Sequence, residues 1–388
     1  MANLRLCKHS VYNYLESSTE YPMSWLTLAL LTAGCTRNTS DDSGNGALDS
    51  SGPTLLEASW FQAVEVPLWR EGIDVRPGER VAPLVAERQA WLRVYVDVPA
   101  DWETQEVRAE LEWTAAGSTQ SFSKTLSVAG PSDTAQADGG LLIAVPAEAM
   151  ALDARYTLSL WAEGATQASA RFPESGSVEL GAEQTGSIQI HMVPYEIDGY
   201  LPETSPAVLD GFRDAVMAVY PTTEVIITVG DPVLWTQPYD IGDILVELGK
   251  LQEQIDQAPQ DVYYYGLVTG VESRADFEGS TGTSESGFGD RAMFAVGAAF
   301  GDQKAEDTLI HELGHMHGLD HTPCGDPGGV DTQYPYSTGL TETEGYDFRT
   351  GTFVPTDHAD LMGYCFPRWV SDYSYANLAD WVQRSQDW

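Results

Sequence analysis

Basic residues are scarce in this chain. Of 388 residues, 20 are lysine or arginine against 58 acidic ones, and the lysines are Lys8, Lys124, Lys250 and Lys304 alone. A net charge of −38 repels the phosphate backbone of nucleic acid, which removes that class of partner. It could draw in cationic substrates, but an acidic coat that keeps the protein soluble or salt-tolerant is the simpler reading. Long apolar runs are missing too. The stretch WLTLALLTAGC at 25–35 is apolar for only about ten residues, too short to span a bilayer. Serine and cysteine stand in no recognisable triad context, so a metal-free nucleophile has no support. What remains, 43% apolar and 10% aromatic, is ordinary globular material, long enough for two or three domains.

Against this thin supply of functional groups, four of the seven histidines crowd into HELGHMHGLDH at 311–321. On a helix His311 and His315 share a face, with Cβ atoms roughly 5 to 6 Å apart. That suits one zinc ion, for which Zn–N distances are about 2.0 to 2.1 Å; a third protein ligand is then needed before water fills the fourth position. Gly318 can take the left-handed conformation that ends a helix, and the returning chain presents His321. Leu309, Leu313 and Met316 form an apolar stripe away from the His311/His315 face. His317, two positions after His315, reads as a bystander or a supporting group, and Asp320 as a solvated turn residue.

The whole string is H-E-x-x-H-x-x-G-x-x-H, and it resembles the long zinc signature of the metzincin metalloendopeptidases. DLMGYC at 360–365 resembles the family's Met-turn, with Met362 as the methionine beneath the metal. Tyr364 stands where the astacin and serralysin branches carry a tyrosine that binds zinc and stabilises the oxyanion. The resemblance covers roughly 186–388 and is sharpest at 311–321; residues 324–360 match no branch. It implies zinc on His311, His315 and His321, a metal-bound water with its pKa lowered towards about 7, and Glu312 as the general base that passes the proton to the leaving amine.

The N-terminus has the form of a secretory signal, with Met1 or Met23 as its start. Thr32, Ala33, Gly34 and Cys35 resemble the lipobox of bacterial lipoproteins, which implies cleavage before Cys35 and lipidation of that cysteine. Residues 35–58, rich in Ser, Gly and Asp, read as a flexible tether. Of the four cysteines, Cys7 then leaves with the signal and Cys35 takes the lipid. Cys324 and Cys365 remain to pair in an oxidising compartment.

Between 59 and 185 apolar residues recur at every second position in LRVYVDV (92–98), VRAELEW (107–113) and YTLSLWA (156–162), which predicts an all-β sandwich. It carries no metal cluster, nucleophile or Gly-rich phosphate loop, and a spacer is the default reading. After 186 strands alternate with helices: SIQIHMVP, then a helix capped by Ser205 with Pro206 first, EVIITVG, a helix over 241–258, DVYYYGLV, a loop-like 270–289, a strand over 291–297, and the zinc helix. This order resembles the N-terminal half of metzincin domains, whose mixed, mainly parallel sheet backs the active-site helix. The family carries one more strand before that helix, for which no stretch here stands out. The expected architecture is therefore α+β: signal 1–34, tether 35–58, β-sandwich 59–185 and catalytic domain 186–388.

The expected function is zinc-dependent endoproteolysis of extracellular proteins by a monomer held at a bacterial cell envelope through a lipid, or secreted. The partners are peptide or protein substrates, with no nucleic acid and no membrane contact beyond the anchor. Two other readings are a zinc amidase acting on wall peptides and a surface adhesin with a vestigial protease domain, against which the intact Glu312 speaks. A last one replaces His321 by Glu342 or Glu344 as third ligand, against the spacing of Gly318 and His321.

Overall fold

Two antiparallel sheets form the first part of the chain. In the first, the spatial order is Ile73–Asp74, Glu65–Arg70, Thr54–Phe61, Ala90–Asp97, Leu141–Val145; in the second it is Ala170–Phe172, Arg155–Ala162, Gln105–Ala115, Ser118–Val128, with Val178–Glu179 also pairing Arg155–Ala162. The period-2 pattern works as side-chain alternation demands: in Gln105–Ala115 the buried residues are Val107, Ala109, Leu111 and Trp113. Trp60 of the first sheet meets Trp113 and Tyr156 of the second at ring distances of 5.9 and 5.5 Å. The computed structural model describes residues 48–254, 262–285 and 293–385. Cys7, the signal, Cys35 and most of the tether lie outside them. The first strand opens at Thr54, within the stretch read as tether, because Leu55 packs on the core and Ala58 is buried in it.

The second part is built on a six-stranded sheet. Glu224–Val229, Ser187–Ile197, Val262–Val268 and Phe294–Ala298 run parallel in that order, Val233–Trp235 adds parallel to the far end of Ser187–Ile197, and Gly282–Ser284 closes the edge antiparallel to Phe294–Ala298. The edge strand lies in the stretch expected to be loop. At three residues it is too short to carry a period, and its pairing partner defines it.

Four helices complete this part: α1 (Pro206–Val219), α2 (Ile241–Gln254), α3 (Gln303–Met316) and α4 (Asp372–Ser385). Ser205 does precede α1, but its hydroxyl donates to Glu203 Oε1 at 2.7 Å rather than capping the helix. The sheet is buried on both faces, as parallel sheets are. Ile188, Ile190 and Met192 join a core with residues of α1, α3 and α4, whereas Tyr195, Ile197 and Val296 pack with Ile244 and Leu248 of α2. No described helix is long and apolar enough to cross a membrane.

The core beneath α3 continues without a break into the two antiparallel sheets, and the described residues form one compact unit. The contacts between the two parts are specific. Ala63 O accepts from Tyr346 N and from Trp369 Nε1, both at 2.9 Å. Arg93, stacked on Phe61 and Phe353, binds Glu344 at 2.6 Å. Fully buried Arg88 donates to the carbonyls of Gln62, Met217, Tyr220 and Thr222.

Candidate metal centre and active site

Helix α3 starts at Asp302, whose carboxylate accepts from Ala305 N at 3.0 Å and is held in place by Arg274. Such a cap satisfies an otherwise orphaned amide. Toward its other end nearly every residue is buried, including His311 and Glu312 at 6% exposure each. The helix stops where Gly318 takes φ +76°, with Gly318 N donating to His315 O at 2.8 Å and Leu319 N to Gly314 O at 3.0 Å. Glycine is required there twice over, since a Cβ would also come within 2.8 Å of the Trp381 ring.

His311, His315 and His321 converge. Their ligating nitrogens lie within 4.8 Å of one another, and His315 Nε2 and His321 Nε2 are 3.1 Å apart. Each Nδ1 meets a backbone carbonyl: Leu361 O at 2.8 Å for His311, Leu319 O at 2.7 Å for His315 and Gly328 O at 2.6 Å for His321. A carbonyl only accepts, so each Nδ1 carries the proton and each Nε2 lone pair is left free toward its neighbours. This is the tautomer and orientation that a metal-ligating histidine needs. Burial pushes His311 down to about 3, helped by the facing His315, and His315 down to about 4. Both imidazoles are therefore neutral at neutral pH. The donor set fits a borderline-soft divalent ion such as zinc.

Glu312 lies one residue along from His311. Burial lifts its carboxyl to about 7, against a hydrogen bond from Ser284 and the charge of Arg368, which pull it down. Such a group sits near the ideal value for moving a proton at neutral pH. The edge strand comes this close because residue 282 has no side chain: a Cβ on Gly282 would stand 2.5 Å from Glu312 Oε1.

Met362 is fully buried, and its sulfur fills the space a Cβ on Gly314 would occupy. The turn that carries it is pinned by Asp360, fully buried, whose two oxygens accept from Met362 N at 2.9 Å and Ser371 N at 3.0 Å. The Cys324–Cys365 disulfide is formed, with Cα atoms 5.6 Å apart, and Tyr364 N donates to Cys324 O at 2.8 Å. The Tyr364 ring is half exposed and stands 4.9 Å from the ring of His321. His317 stays out of the cluster: it is wholly buried against Tyr263 and donates from Nδ1 to Leu313 O at 2.7 Å. Asp320 is exposed. Glu344 is taken by Arg93, and Glu342 accepts from Thr338 Oγ1 at 3.1 Å, so neither glutamate belongs to the histidine cluster.

Two cavities flank the cluster. One, of about 410 Å³, reaches from His311 and Glu312 to Lys304, Phe366 and Arg368; the other, of about 460 Å³, lies between Ser284 and Val330 over all three histidines. Together they make a cleft along α3, with Gly282 and Tyr364 lining both. Sequence reasoning missed Ser284, Gly282, Asp360 and Arg368. Only Asp360, inside DLMGYC, lay in a motif that could have flagged it.

Residues 257–366 match the family model described as Peptidase M66. The match takes in the three histidines, Glu312, Met362 and the disulfide, but under a third of the chain and no part of the two antiparallel sheets. No curated protein matches the chain significantly. Among solved structures, a calcium binding mutant of Bacteroides uniformis beta-glucuronidase 2 aligns at 8% identity over 69% of this chain and 28% of its own, with a TM-score of 0.22. At that score the likeness carries no argument. The family match supports a peptidase, similar in this stretch to a metallopeptidase family.

Proposed function

We propose that the protein is a zinc-dependent endopeptidase of metzincin type, with His311, His315 and His321 as the ligands and Glu312 as general base. The observation that carries this reading is the common orientation of three imidazoles, each with Nδ1 tied to a carbonyl and Nε2 turned into one small space. Zinc, when bound, supplies a Lewis acid and a water of lowered pKa. Glu312 takes up a proton at its buried carboxylate, steadied by Ser284, and returns it to the leaving amine. Met362 and Leu361 hold the helix and His311 in register, and Tyr364, beside His321, is the candidate to donate to a developing oxyanion. The open cleft on both sides of the cluster suits an internal bond of an extended chain. The natural substrates on this reading are extracellular proteins, reached by a protein that is exported and lipidated at Cys35.

The test is incubation of the purified, zinc-loaded protein with mixed folded and denatured proteins, followed by mass spectrometric mapping of new termini. Internal cuts that disappear with a chelator and return with zinc are expected. Cuts confined to wall peptides would favour the amidase reading, and stoichiometric binding without cleavage the adhesin.

A further inference from the structure

Arginine is used sparingly in this chain, and the buried guanidinium groups other than Arg80 are each tied to a carboxylate or to several carbonyls. Arg93 meets Glu344 at 2.6 Å, Arg274 meets Asp302 Oδ1 at 2.7 Å, Arg349 meets Asp347 at 2.9 Å, and Arg88 is surrounded by carbonyls. Arg368 differs. It sits in the short strand Arg368–Trp369, paired parallel with Ala359–Asp360 just past the Met362 turn, and lines the 410 Å³ cavity beside His311 and Glu312. Its Nε–H donates to Cys365 O at 3.2 Å and the group lies 4.2 Å over the Phe366 ring. Among the described residues nothing binds its two terminal nitrogens, and no carboxylate lies within ion-pair distance of them. A planar fork of N–H donors is thus fixed by its stem and left open at its tip, the geometry that captures a carboxylate in bidentate fashion.

A second cation stands in the same cavity. Lys304, one of four lysines in the sequence, lines the same cavity and is exposed. Asp307 and Glu312 are the carboxylates that line the same cavity, and neither is within ion-pair distance of the Arg368 fork. Lys304 and Arg368 thus place two cations beside the cleft of a chain whose net charge is −38.

We propose that Arg368, with Lys304 at the rim, binds a carboxylate of the substrate in this cavity, so that the bond to be cut is chosen by an acidic group near it. The proposal rests on the peptidase reading. The carboxylate comes either from an Asp or Glu side chain or from the end of the substrate chain.

The test uses the full-length protein and a peptide library varied at the positions flanking the cut, each peptide made with Glu or Gln and with a free or amidated C-terminus. In wild type the Glu peptide should exceed its Gln twin in kcat/KM by roughly tenfold, the size of a charge-assisted hydrogen bond. In Arg368→Gln that ratio should fall below about twofold, and Arg368→Lys, which keeps the charge without the fork, should lie between. Collapse of the free-over-amidated ratio instead would assign the carboxylate to the chain end. Ratios near one in wild type, or unchanged in both variants, overturn the proposal. If wild type cuts no peptide, the peptidase reading fails, and calorimetric binding of the same peptides decides: acid-selective binding lost on substitution supports the anion pocket, and equal binding of acid and amide overturns it.

Discussion

The sulfur of Met362 occupies the place where a Cβ on Gly314 would have to be. One position of the histidine-bearing helix is therefore kept bare so that the turn beneath can press against it, and the same turn offers Leu361 O to His311. Gly314→Ala should cost about 1 to 3 kcal/mol through overpacking, against about 1 kcal/mol gained in helix propensity. Zinc affinity should fall as His311 loses its fixed acceptor. Thermal unfolding of the metal-free protein and chelator competition measure the two effects; an unchanged affinity would mean that the turn does not position His311.

One zinc per chain is expected, and it should be lost in His321→Ala as well as in His311→Ala and His315→Ala. Metal analysis after dialysis reads this directly. Full retention in His321→Ala would remove the three-histidine assignment.

Glu312→Gln should keep fold and zinc but lose most hydrolysis, on the order of 10²-fold or more for a general base. Near-normal cleavage by this variant, with zinc content verified, would place the base elsewhere.

The histidine string is legible in sequence because a helix converts a spacing of four into proximity, and Gly318 marks where the chain must turn. The rest depends on partners far away in the chain. Gly282–Ser284 becomes a strand only through Phe294–Ala298, and Glu344 is tied to Arg93 across 251 positions. Arg368 carries no local signature either, since its place beside the histidine cluster is visible only once the cavity it shares with His311 and Glu312 is formed. The same holds for 324–360, whose turns are ordered by contacts with Asp360, α4 and Ala63 rather than by any period.

The Cys324–Cys365 bridge spans 41 residues and should contribute on the order of 3 to 4 kcal/mol in the chain-entropy picture. Because it ties the segment leaving His321 to the one bearing Tyr364 and Arg368, Cys365→Ser should weaken zinc retention and activity before the β-rich first part unfolds. Tryptophan fluorescence and metal release, followed together during reduction, separate the two events. Simultaneous loss would mean that the bridge supports the whole unit instead.

Cys35→Ser should move the protein from the membrane fraction to the soluble one in a bacterial host that processes lipoproteins. Unchanged partitioning would exclude lipid at this cysteine.

The double use of one carbonyl, Ala63 O, by Tyr346 and Trp369 has a consequence for anyone wishing to shorten this protein. A fragment starting at residue 186 would carry the three histidines and Glu312, yet it would leave two donors without an acceptor and strand Glu344 without Arg93. It would be an unfinished protein, not a smaller one. Grafts, truncations and chimaeras have to be drawn at the start of the first strand or not at all.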